Sequence, residues 1–211
     1  MPTPSAGPSS QIPLRRPFRR SALTAGLTLG ALALVGGSLA AVPAFKTGPP
    51  PGHTGGFGEP TCRACHSDAG LNEPGGELTA SGAPAQYEPG QTYQLEVVLR
   101  RAEMLRAGFQ LAARFADGPA AGAQAGVLAP ADARSIITWD TLTQVSYIEH
   151  NLAGTALTGD AGHWIVRWTA PATATSAVVF NVAGNAANDD DSPLGDFIYT
   201  TALRVAPAAR R

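Results

Sequence analysis

From Thr92 onward the chain alternates apolar and polar residues. Tyr93, Leu95, Val97 and Leu99 take one side and Gln94, Glu96 and Val98 the other, the period-two pattern of a strand with one buried face. Phe109, Leu111, Ala113 and Phe115 repeat the pattern, and Thr143, Val145 and Tyr147 do so more weakly. Trp164, Val166 and Trp168 face away from His163, Ile165 and Arg167, while Val178, Phe180 and Val182 form a further run. Near the end, Ile198, Thr200 and Ala202 oppose Tyr199, Thr201, Leu203 and Val205. Turn residues separate these runs at Glu88-Pro89-Gly90, Asp117-Gly118-Pro119, Gly159-Asp160, Ala170-Pro171 and between Asn188 and Gly195. Short strands at this spacing predict an all-β protein, a sandwich of two antiparallel sheets. Its expected core is Tyr93, Leu95, Phe109, Leu111, Trp164, Trp168, Phe180 and Tyr199. The segment from Gly118 to Asp132 lacks the alternation and reads as loop with one edge strand at most.

Before Thr92 the pattern is different. Ser21 to Phe45 carries no charge and follows directly on Arg15, Arg16, Arg19 and Arg20, a basic region and an apolar run that together make an export signal. Small residues at Ser38 and Ala40, and Val42 with Ala44, offer cleavage before Ala41 or Phe45. The alternative is an uncleaved anchor, because the run approaches the roughly 20 residues that span a bilayer. The expected organisation is an export segment over 1–44, a Gly/Pro-rich segment over 45–76, the sandwich over 77–206 and a short tail over 207–211. With 24 Gly and 18 Pro in 211 residues the composition favours turns over long helices. A net charge of −1 leaves no nucleic-acid footprint.

The one strong chemical motif lies in the Gly/Pro-rich segment. Thr61-Cys62-Arg63-Ala64-Cys65-His66 is C-x-x-C-H and contains both cysteines of the chain. Two thiols at this spacing suit thioethers to the vinyl groups of one haem, and the adjacent imidazole of His66 then ligates the iron from the proximal side. Covalent attachment of one haem c per chain also requires export, which the N-terminus independently predicts. Rival readings are a disulfide, a redox pair and a zinc site. The loop between the cysteines is too short to stabilise a fold much, no βαβ context supports a thioredoxin-like pair, and no second Cys/His pair completes a zinc finger. Because Thr47 to Pro60 is nearly all Gly, Pro and Thr, the haem would have to rest against the sandwich.

Trp164-Ile165-Val166-Arg167-Trp168-Thr169-Ala170-Pro171, with Tyr147-Ile148-Glu149-His150 before it and Val178-Val179-Phe180 after it, resembles the Reeler (reelin-like) domain. That domain is an immunoglobulin-like antiparallel β-sandwich of extracellular proteins. The chain is more similar still to bacterial choice-of-anchor proteins, which join a C-x-x-C-H segment to a Reeler-like domain and carry a Gly-Asn-Ala-Ala-Asn run. Here that run is Gly184-Asn185-Ala186-Ala187-Asn188, followed by Gly195-Asp196-Phe197-Ile198-Tyr199-Thr200. The resemblance spans Gly48 to Val205. It departs from the pattern after Val205, where no hydrophobic tail follows, so any membrane contact is expected through the N-terminal segment alone.

A haem iron has a second axial position, for which His53, Met104, His150 and His163 are candidates. The resemblance favours His150 as the distal ligand, since the family has a histidine near the end of that strand; a structural hydrogen-bonding role stays open beside it. Met104 reads as packing, His163 as a rim residue, and Trp164 and Trp168 as core. Asp189, Asp190, Asp191 and Asp196 are oxygen donors for calcium or a solvated loop. No nucleophile, general-base or phosphate-loop motif appears beyond the haem motif. Two functions remain: single-electron transfer outside the cytoplasm with an exported redox partner, or an extracellular recognition or adhesion module, with its own surface ligand, in which haem is a sensor or structural element.

Overall fold

The computed structural model describes residues 45–173 and 176–209. The expected export segment or anchor lies outside the described residues. Among the described residues ten strands follow in order: β1 (Gly76–Ser81), β2 (Gln86–Tyr87), β3 (Thr92–Arg101), β4 (Arg106–Phe115), β5 (Val127–Pro130), β6 (Ser135–Asp140), β7 (Val145–His150), β8 (Ala161–Thr169), β9 (Val178–Ala187) and β10 (Phe197–Pro207). They form a four-stranded sheet in the order β1-β3-β8-β5 and a six-stranded sheet in the order β2-β10-β9-β4-β7-β6. The expected all-β sandwich is therefore present. One pairing departs from the antiparallel expectation, because the two residues of β2 run parallel to the end of β10.

The alternation read from the sequence becomes the interface between the sheets. Leu95, Val97 and Leu99 of β3 and Trp164, Val166 and Trp168 of β8 meet Phe109, Leu111 and Ala113 of β4 and Phe180 and Val182 of β9 in one apolar core. Trp164 stacks on Phe109 at 4.5 Å between ring centroids, and Trp168 meets Phe180 edge-on at 4.8 Å. Each indole N–H has a partner, donating at 2.9 Å to the carbonyl of Gly154 and of Ala125 respectively, as buried indoles require. Tyr93, expected in the core, is half-buried instead. It lies on the margin, stacked on Trp168, with its hydroxyl accepting the Glu88 N–H.

Four strands lie outside the alternation read from the sequence: β1, β2, β5 and β6. β1 carries one large apolar side chain, the buried Leu78. β2 is two residues long. β6 is an edge strand whose Ile136, Ile137 and Trp139 are all exposed, so no buried face imposes a period. The edge strand allowed within Gly118 to Asp132 is β5, paired with β8. β4 differs in another way, being buried along nearly its whole length on both faces. Its outer face is covered by the chain that precedes the motif.

Candidate functional site

The outer face of the six-stranded sheet presents Gln110, Arg114, Tyr147 and Glu149, polar side chains that are nonetheless buried. Such groups need partners, and the Gly/Pro-rich segment supplies them. Gln110 accepts from the His53 N–H at 2.7 Å and donates to the Pro50 carbonyl at 2.9 Å and to Glu149 at 2.8 Å. Glu59 pairs with Arg114, accepts from the Tyr147 hydroxyl, and takes a 2.6 Å hydrogen bond from Thr54. Gly48, at φ 123°, crosses so close that a Cβ there would stand 2.4 Å from the Glu149 carboxylate. Burial pushes the Glu149 carboxyl up to about 7, against the lowering effect of its bond from Gln110.

After this strap the chain makes a single 3-10 turn at Cys62–Ala64, capped by the Thr61 hydroxyl, which accepts from Arg63 N at 3.2 Å. The His66 N–H returns to the Cys62 carbonyl at 3.0 Å. Farther on, Asn72 ties the segment to β10, donating its N–H to Ile198 O at 2.9 Å and accepting from Thr200 N at 2.7 Å. The motif is thus pinned at both ends to the large sheet.

Between strap, turn and strand ends lies a cleft of about 1010 Å³, its open mouth included, lined by Cys62, Cys65, His66, His53 and His150. The two thiols are not joined to each other. Burial, with the nearby Cys65 adding to it, pushes the Cys62 thiol up to about 12, the reverse of what a redox-active pair needs. His66 faces Asp196, with Nδ1 at 2.6 Å from Oδ2. His150 ends β7, and its ring lies so flat on β4 that a Cβ at Gly108 would come within 2.7 Å of its Cε1.

The imidazole of His150 takes over where the β4-β7 ladder stops. Its Nδ1 lies 3.1 Å from Phe109 N and 3.2 Å from Phe109 O, so it accepts from the one or donates to the other according to tautomer. Burial holds the ring below the ordinary histidine range, although the carbonyls of Phe109 and Phe45 favour its charged form. Of the other distal candidates, His53 reaches the cleft, with Nδ1 3.0 Å from Pro50 O. Met104 is buried in the core and does not line the cleft. His163 pairs with Glu96 at 2.7 Å on the other sheet.

The acidic loop divides into two kinds of residue. Asp189 and Asp191 hold Lys46 and Arg106 at the mouth of the cleft. Asp196 is buried, 1% exposed, and belongs to His66. Among the described residues no three His, Cys, Asp or Glu side chains are grouped to hold a bare metal ion. The residues present suit a haem: two thiols, the imidazoles of His53, His66 and His150, and the apolar groups of Phe45 and Pro49 line one cleft. Sequence reasoning had no role for Gly108 or Asn185, and it read Asp196 as a calcium donor or a solvated loop residue, whereas Asp196 is buried against His66. Asp196 stood in the Gly195-Asp196-Phe197 run of the family resemblance, but without a partner to give it meaning.

Among solved structures, the reeler domain of human F-spondin is similar to this chain at 17% identity and a TM-score of 0.46, over 67% of this chain and 96% of that one. The reelin-N domain of F-spondin is similar at 18% identity and a TM-score of 0.46, over 70% and 97%. A cohesin module from a Clostridium perfringens family 33 glycoside hydrolase has the same TM-score of 0.46 at 8% identity, over 64% and 98%. No protein-family model matches the chain, and no curated protein matches it. These likenesses concern fold alone, and function has to be argued from the site.

Proposed function

We propose that this chain is an exported c-type haem protein that passes single electrons. One observation carries the reading: the C-x-x-C-H turn and His150, separated by most of the sandwich in sequence, line the same cleft. Cys62 and Cys65 would hold the haem by thioethers, with His66 as proximal and His150 as distal ligand. Bound there, haem supplies a one-electron iron couple whose potential depends on its axial ligands and their surroundings. The chain's part is to orient two imidazoles, exclude water with apolar walls, and fix the attachment turn on a rigid sheet. His150 serves as ligand when Nδ1–H donates to Phe109 O, which leaves the Nε2 lone pair free. Export, which haem attachment requires, is the role assigned to the basic and apolar N-terminus.

A second reading rests on the same histidine. With Nδ1 accepting from Phe109 N, the proton sits on Nε2, the distal position stays open, and an extracellular recognition module with haem as sensor becomes the function. Protein made in a host with haem-attachment machinery distinguishes the two. Wild type should stain for haem on a denaturing gel, Cys62→Ala together with Cys65→Ala should abolish the stain, and a low-spin spectrum should turn high-spin in His150→Ala while haem stays attached. An unstained wild type would overturn the haem reading, and a high-spin wild type would move the function to the second one.

A further inference from the structure

We infer that Asp196 is a positioning residue that fixes the tautomer of His66 and strengthens it as an electron donor, so that the site favours oxidised over reduced iron. The inference rests on the haem reading and assigns within it what regulates the potential.

Asp196 immediately precedes β10, and its carboxylate is almost wholly removed from water, its side chain 2% exposed. Burying a charge is costly unless it is paired and hydrogen-bonded. Three donors surround it: His66 Nδ1 at 2.6 Å, Asn185 Nδ2 at 3.1 Å and the Asn188 N–H at 3.2 Å. Two of these are neutral amides. Lys46 and Arg106, the cations lining the cleft, pair with Asp189 and Asp191 instead, and among the described residues the only ion-pair partner of Asp196 is His66. The carboxylate is thus directed at the imidazole.

The consequence follows from the histidine's two nitrogens. Accepting the Nδ1 proton at 2.6 Å commits Nε2 to carrying the lone pair, which is the nitrogen a metal needs. Asn185 supports the pair from one side: its Nδ2 lies 3.4 Å from both ring nitrogens, an approach to the ring, while its hydrogen bond goes to Asp196. Its Oδ1 is buried without a partner, so the amide is held in this orientation by Asp196. A carboxylate on Nδ1–H lends the ring anionic character. In a site poorly screened by water that negative charge acts strongly, and it stabilises the ferric state more than the ferrous one.

A redox titration of the haem-loaded protein tests this. Asp196→Asn keeps the shape but removes the charge. The potential should rise, and each tenfold gain for the ferrous form reads as about 59 mV for one electron. Asp196→Glu, which keeps the charge, should stay closer to wild type. A merely structural role would lower the melting temperature of both variants and move neither potential, or both alike; either result overturns the inference. The haem-free wild-type protein gives an independent check by 15N NMR of the His66 ring, including the case in which the variants do not fold. The Nδ1–H tautomer supports the assignment, and the Nε2–H tautomer sinks it. Failure of haem to attach to wild type would instead refute the function proposed above, while the tautomer still decides whether Asp196 governs His66.

Discussion

On the inner face of the six-stranded sheet, Phe109, Leu111, Phe180 and Val182 are fully buried among apolar neighbours, while on its outer face Gln110, Arg114, Tyr147 and Glu149 are buried as deeply beneath residues 45–61. The first contact is non-directional and scales with area. The second is a set of aimed hydrogen bonds, each of which fails if its partner shifts by an ångström. An apolar interface tolerates many side chains of similar volume; this polar one demands particular groups at particular places. The motif segment is therefore attached to the sandwich by a few anchors that can be cut singly, whereas the sandwich stands or falls as a whole.

The largest effect should come from the inner side. Trp168 is fully buried against Tyr87, Tyr93 and Phe180 and donates to Ala125 O. Trp168→Ala leaves a cavity and an unpaired carbonyl, at about 3 to 5 kcal/mol. At about 2 to 4 °C per kcal/mol for a chain of this size, the melting temperature should fall by roughly 6 to 20 °C. An unchanged melting curve would remove Trp168 from the core.

A somewhat smaller and more local loss is expected on the outer side. Glu59→Ala strips Arg114, 3% exposed, of its carboxylate, and removing one partner of a buried ion pair typically costs about 3 kcal/mol or more. Much of this can be relieved by releasing the strap. Hydrogen exchange should therefore accelerate at Gly55, whose N–H is bonded to Pro60 O at 2.9 Å, while amides of β3 and β8 keep their protection. Equal acceleration in both places would show that the two faces form one cooperative unit and would abolish the contrast drawn here.

The same contrast governs what could be read from the sequence. Alternation marked β3, β4, β8, β9 and β10, because one apolar face meeting a core imposes a period of two. Seven of the eight residues assigned to the core are buried; Tyr93 falls short, because its hydroxyl reaches Glu88 at the margin. Edge strands such as β6 have no such constraint and leave no trace. In the cleft, Cys62, Cys65 and His66 were legible because they form one C-x-x-C-H run that holds both cysteines of the chain. His150 was reachable only through resemblance to a family. Asp196, Asn185 and Gly108 act through contacts made by folding, across β4, β9 and the start of β10, and nothing local distinguishes Asp196 from the three acidic residues at Asp189 to Asp191. Of the strap only its Gly/Pro content showed, since its partners Gln110, Arg114 and Tyr147 lie on strands distant in sequence.

The smallest effect sharpens the comparison by keeping the chemistry and changing the place. Arg204 and Asp117 form an ion pair of the same groups as Arg114 and Glu59, but with side chains 55% and 58% exposed against 4% and 15%. Exposed pairs of this kind are screened by water and salt and must immobilise two side chains, so they contribute about 0.2 to 1 kcal/mol. Arg204 also stands on β10 opposite Val179 of β9. Arg204→Ala should accordingly lower stability by less than about 1 kcal/mol, with a difference from wild type that shrinks further as salt rises toward 1 M, where the screening length is about 3 Å. Denaturant melts of both Arg204→Ala and Glu59→Ala at low and high salt measure this directly. If the exposed pair proves as costly to break as the buried one, burial is not what gives the strap its anchors, and the pairing of Glu59 with Tyr147 and Thr54 has to carry that role instead.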